Sequence, residues 1–152
     1  MEMKMAEATK YLEERAANIR RCSDKLRAAI QEIEHYLCEV AKQTGIPSLT
    51  MVHLTTFKDT QSEMAGRIIM QLRKHSDGYI YLFWKDYNLA VDDYNVGLTV
   101  EQTSRAGLME AVKELPAFIF DYAKTLETEG KLISGFADKA KQIADIILTT
   151  TS

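Results

Sequence analysis

The chain has 152 residues, 46% hydrophobic and 27% charged, the balance of one globular domain rather than of a disordered segment. Its net charge is −3 and no third of the sequence is basic overall, which weighs against tight nonspecific binding of nucleic acid through neutralised phosphates. The first residues carry Glu2 and Glu7 with no apolar secretory stretch, and no run approaches the roughly 18 apolar residues of a membrane span, so a cytoplasmic protein without membrane contact is expected.

From Met5 to Val40 an apolar residue recurs every seventh position: Met5, Leu12, Ile19, Leu26, Ile33 and Val40. That period predicts one long helix over residues 1–45 with a coiled-coil seam. The companion positions Thr9, Ala16 and Ser23 are small or polar, whereas Ile30 and Leu37 are apolar, so the seam is firm only from Leu26 to Val40. Gly45, with Pro47 beyond it, ends the helix. A helix of about 38 residues is roughly 57 Å long and must overhang a compact chain, whose radius of gyration is about 15 Å. Two partners fit the stripe: the C-terminal helices of the same chain, or the same helix of another subunit. Leu12, Ile19, Leu26, Ile30, Ile33, Leu37 and Val40 are the candidate oligomerisation residues. Cys22 and Cys38 lie about 24 Å apart along this helix and cannot pair within a chain.

After Pro47 the composition shifts to Val, Ile, Tyr, Phe, Trp and Thr, which predicts strands at Leu49 to Phe57, Arg67 to His75, Tyr79 to Tyr87 and Tyr94 to Leu98. Ser76, Asp77 and Gly78 form the loop between the second and third, so that His75 faces Tyr79 and Arg73 faces Tyr81. One face then collects Ile68, Met70, Leu72, Ile80, Leu82 and Trp84. A two-residue turn would mix polar and apolar residues on each face.

Thr99 to Gln102 reads as a capping box that opens a helix through Leu108, Val112, Leu115, Ile119, Tyr122 and Leu126, bent at Pro116. Gly130 divides it from a last helix with a stripe of Ile133, Phe136, Ala140, Ile143 and Ile147. The expected fold is a single α+β domain over 1–152: a long N-terminal helix, a four-stranded antiparallel sheet over 49–98 and two C-terminal helices over 99–149.

The second face of the central hairpin alternates cations with rings: Arg67, Gln71, Arg73 and His75 on one strand, Tyr79, Tyr81, Phe83 and Lys85 on the other, with Ile69 and Tyr87 among them. Rings on a strand offer bases a stacking surface and cations follow the phosphates, so these eight are the candidate nucleic-acid-binding residues. The same rings could instead pack beneath a helix. Residues 50–126, four strands entering a helix through Val96-Gly97-Leu98-Thr99-Val100-Glu101-Gln102, resemble the single-stranded-DNA-binding fold of the transcriptional coactivator p15 family. The resemblance implies dimers paired through helices and unpaired DNA held across the strands, near Arg67, Arg73, Tyr81 and Lys85, with Gly97, Leu98 and Thr99 at the strand-to-helix junction.

His35, Cys38 and Glu39 share a helical face, but nothing else is marked to complete a metal site, and a solvated face is the simpler account. The acidic stretch Asp86 to Asn95 lacks the glycine and closing glutamate of a calcium loop. Glycine-rich phosphate loops, nucleophile elbows and His-Glu-x-x-His are missing from the sequence. No metal or cofactor is therefore expected, and binding is favoured over catalysis. Three functions follow in order: a single-stranded nucleic-acid-binding module in a homo-oligomer, an assembly or adaptor protein that engages a protein partner through the N-terminal helix, and an enzyme acting on a small molecule.

Overall fold

The computed structural model describes residues 2–58, 65–88 and 93–151. Its elements in order are α1 (Glu2–Thr44), β1 (Val52–Lys58), β2 (Ala65–Lys74), β3 (Ile80–Asn88), β4 (Asp93–Leu98) and α2 (Arg105–Thr151). The seven-residue phase of α1 carries it unbroken past Ser23 and Asp24. Gly45 stops it, with φ at 70° and its N–H donating to Ala41 O at 2.8 Å, the left-handed closure that glycine adopts without a Cβ clash.

The four strands form an antiparallel meander in the order β1-β2-β3-β4, and both helices pack on one of its faces. Core residues come from all layers: Ile30 and Leu37 of α1, Met70 and Leu72 of β2, Leu82 and Phe83 of β3, Leu108 and Phe118 of α2. The helices run side by side in the same direction. At one end Arg27 Nη1 donates to the carbonyls of Val100 (2.7 Å) and Thr103 (2.9 Å), and Arg105 Nη1 to Ser23 Oγ (3.3 Å). At the other, Tyr122 Oη donates to Ile46 O at 2.7 Å. Both helices therefore overrun the sheet, at opposite ends. Residues before about Ser23 leave one side for roughly 33 Å, and residues after Leu126 leave the other for nearly 40 Å.

Two expectations about the C-terminal third need correction. The capping box forms, with Gln102 Oε1 accepting from Thr99 N at 3.0 Å and Thr99 Oγ1 accepting from Gln102 N at 3.3 Å, but it closes a single turn. Helix α2 starts after Ser104, whose Oγ accepts from Gly107 N at 3.1 Å. The expected pair of C-terminal helices is one helix of 47 residues. Gly130 sits in it exposed with open space around the Cβ position. A lone helical glycine costs about 1 kcal/mol relative to alanine, too little to break a run flanked by Leu126, Glu127, Glu129, Lys131 and Leu132. Pro116 also lies on the exposed side, where solvent can satisfy the carbonyl that its missing N–H frees. No helix among the described residues is long and apolar enough to cross a membrane.

The hairpin loop is as expected: Gly78 has φ 92°, His75 N donates to Tyr79 O at 2.8 Å, and Arg73 lies opposite Tyr81. Further along, the register slips. Met70 pairs with Phe83 and Arg73 with Tyr81, so Gln71 and Leu72 together oppose Leu82 in a β-bulge. The carbonyls of the extra pair are satisfied from outside the ladder. Trp84 Nε1 donates to Gln71 O at 2.7 Å, and Ser48 N to Leu72 O at 2.8 Å, while Ser48 Oγ accepts from Leu72 N at 2.9 Å. The bulge turns Leu72, Leu82 and Phe83 all toward the helices. Trp84, expected in that core, instead lies on the opposite face against Arg73, His75 and Tyr81.

Candidate functional site

Two surfaces remain once the core is filled: the sheet face that no described element covers, and the overrunning halves of the helices. On the sheet face Trp84 is the centre, yet only 1% of it reaches solvent. The Arg73 guanidinium lies 4.1 Å from its ring centroid, the His75 ring lies tilted by 35° to it at 5.5 Å and Tyr81 meets it edge-on at 5.6 Å. Tyr81 in turn rests over Gly97 of β4, where a side chain would collide with its ring, and its hydroxyl donates to Asp77 Oδ2 at 3.0 Å. That bond and the Tyr79 N–H, which donates to Oδ1 at 2.9 Å, hold the Asp77 carboxyl below the usual carboxylate range, with the backbone bond the larger cause. Arg67 Nε is paired with Asp86 Oδ2 at 2.7 Å. The middle of the acidic connection, residues 89–92, lies outside the described residues.

The eight residues expected to meet nucleic acid are thus divided. Arg67, Arg73, His75 and Tyr81 share the uncovered face, and Tyr79 is exposed at its hairpin end. Phe83 is the correction: it is wholly buried under the helices and has no surface on which a base could stack. Lys85 points to the helix side, its Nζ 4.8 Å from the Phe57 ring, and Gln71 is the bulge residue whose carbonyl holds Trp84. An open groove of about 580 Å³ runs past Arg73, Lys74, His75, Trp84 and Asn95. A second, of about 790 Å³, lies between the end of α1 and the hairpin, lined by Cys38, Lys42, Ile46, Pro47, Arg73 and Tyr79. Burial, with the nearby Glu34 and Glu39 charges, pushes the Cys38 thiol up to about 12, which keeps it protonated and a poor nucleophile or metal ligand; its Sγ donates to Ile80 O at 3.5 Å.

The candidate oligomerisation residues also divide. Ile30 and Leu37 are buried in the chain's own core, and Leu26, Ile33 and Val40 pack against it, so this half of the stripe is spent within the chain. Leu12 and Ile19 are exposed at 66% and 52%. On α2 the sheet-facing residues Leu108, Leu115 and Tyr122 are buried, but Ile133, Phe136 and Ile143, in the same helical phase, are about 60% exposed. Leu132 and Ile146 flank them and are exposed too, and the sequence reading missed both because it followed only the central line of the stripe.

The two exposed helix halves and the cation-bearing sheet face are the surfaces that the described elements leave uncovered; compared with known proteins, the chain matches no family model, no curated protein and no solved structure.

Proposed function

We propose that the chain acts by association, as an assembly protein whose sheet domain is a body held in a larger structure by the overrunning halves of α1 and α2. The observation that carries this reading is the continuity of each helix's core-facing stripe into solvent. Met5, Leu12 and Ile19 extend one stripe, and Ile133, Phe136 and Ile143 the other, all more than half exposed. Side chains of this size gain roughly 1.5–3 kcal/mol each on full burial, and exposed apolar stripes of this length mark protein-protein contacts. Light scattering after size exclusion tests it. The wild type is expected at a multiple of 17.3 kDa, and a Leu12→Asp, Ile143→Asp double variant at the monomer mass with its circular dichroism retained. A wild type that stays monomeric from low to high micromolar concentration, alone and in the lysate of its host, would sink the reading.

A second reading rests on the groove past Arg73, Lys74 and His75 with the exposed Tyr79 ring beside it: single-stranded nucleic acid held by cations and one stacking side chain. It predicts salt-sensitive anisotropy of a labelled single strand, lost in Arg73→Glu. Absence of binding at low salt removes it.

A further inference from the structure

We infer that the partner of the α2 extension is a second copy of this chain, laid antiparallel along residues 126–148 so that the two extensions bury each other across a two-fold axis near Ala137. This rests on the assembly reading and names its occupant. The surface is large enough. A compact chain of this mass exposes about 7,800 Å², whereas this one exposes 11269 Å². The excess of roughly 3,500 Å² is shared by the two overhangs, and even half of it is about twice the ~800 Å² per partner that a stable dimer needs.

Direction follows from the phase of the stripe. Leu108, Ala111, Leu115, Phe118 and Tyr122 turn one side of α2 to the sheet and are buried there. At about 100° per residue, Ile133, Phe136, Ala140 and Ile143 fall on that same side. Past Leu126 no described element lies beneath them, so a covering helix must occupy the layer that the sheet occupies further down. A parallel partner would have to run its own residues 105–126 through the space filled by the sheet. An antiparallel partner meets no such obstacle, because its sheet lies beyond the far end of the extension.

The side chains fit that direction. With the two-fold near Ala137, Ile133 lies opposite the partner's Ile143 and Phe136 opposite the partner's Ala140, the one small residue of this seam. On one flank Leu132 lies beside the partner's Ile146; on the other, Gly130, Ala137 and Ala144 let the backbones approach closely. Two-fold symmetry repeats each contact, so the interface is isologous and closed. Knobs from Phe136 and Ile143 fill the gaps above Ala140 and Ile133.

Cysteine cross-linking tests both partner and direction, in a Cys22→Ser background. Ala137→Cys, beside the axis, is expected to oxidise to a covalent dimer at least tenfold faster than Ile133→Cys. Mixing Ile133→Cys with Ile143→Cys protein is expected to cross-link where neither does alone. Ile133→Cys linking to itself as fast as Ala137→Cys would indicate a parallel pair and overturn the inference while leaving the assembly reading intact. So would an assembled mass that survives Ile143→Asp but is lost in Leu12→Asp. A wild type that is monomeric throughout overturns both.

Discussion

The two halves of α1 carry the same seven-residue spacing and meet opposite fates. In the second half Leu26, Ile33 and Val40 pack against the core beside the buried Ile30 and Leu37; in the first half Leu12 and Ile19, in phase with Leu26 and Ile33, stand in solvent. Spacing decides which side of a helix is apolar, whereas what covers that side depends on where the sheet ends. Helix α2 repeats the lesson in reverse order, with its first half buried and its second half bare. The difference therefore separates residues that hold the fold from residues that the fold leaves uncovered.

Leu37→Ala against Leu12→Ala breaks this comparison most directly. Removing the buried side chain is expected to cost about 2–5 kcal/mol, read as a lower urea midpoint, while the exposed substitution should leave the midpoint of the monomer within about 0.5 kcal/mol. Equal losses would mean that the first half is packed in solution. Trp84→Phe sharpens the same boundary on the sheet, since it leaves the Gln71 carbonyl without its indole donor and the Arg73 guanidinium with a weaker ring. A loss of about 1–3 kcal/mol is expected, with the assembled mass unchanged.

The smallest expected effect belongs to Glu34, on the packed half of α1. Burial pushes its carboxyl up to about 7, and its Oε2 is buried without a hydrogen-bond partner. A carboxyl that binds its proton more tightly when folded adds stability that is complete below the ordinary carboxylate pKa and is lost as pH rises through about 7. The urea midpoint should thus be higher at pH 5 than at pH 8. Glu34→Gln should flatten that difference, by on the order of 1 kcal/mol because part of the side chain still meets solvent. An unchanged pH dependence in the glutamine variant would show that the slope arises elsewhere.

Much of the fold was legible because its signals are local. Gly45 ends α1, Gly78 closes the hairpin, and four runs of β-forming residues give four strands. The bulge was not legible, since the groups that stabilise it are distant in sequence: Ser48 lies 24 residues before Leu72, and Trp84 lies 13 after Gln71. Strict alternation therefore assigned Phe83 to the open face and Trp84 to the core, the reverse of their places. Gly97 was the available clue. A glycine in a strand next to an aromatic-rich strand signals a ring lying across it, and the ring is that of Tyr81. Continuity of α2 through Gly130 was missed because a glycine was read as a stop where it is only a modest cost. For the candidate site, the sequence located Arg67, Arg73 and His75 of the open face and the stripe of each helix, but misplaced Lys85, which lies against Phe57 on the helix side. Which half of each stripe is free depends on the extent of the sheet, which no residue spacing encodes.

The parallel course of α1 and α2 across one sheet, with overhangs pointing apart, also decides how the domain bears load. Tension applied between the Glu2 end of α1 and the Thr151 end of α2 would slide one helix along the other in shear, so that the packing of Ile30, Leu37, Leu115 and Phe118 resists at once rather than peeling contact by contact. A load drawn through both overhangs would therefore cross the domain in shear.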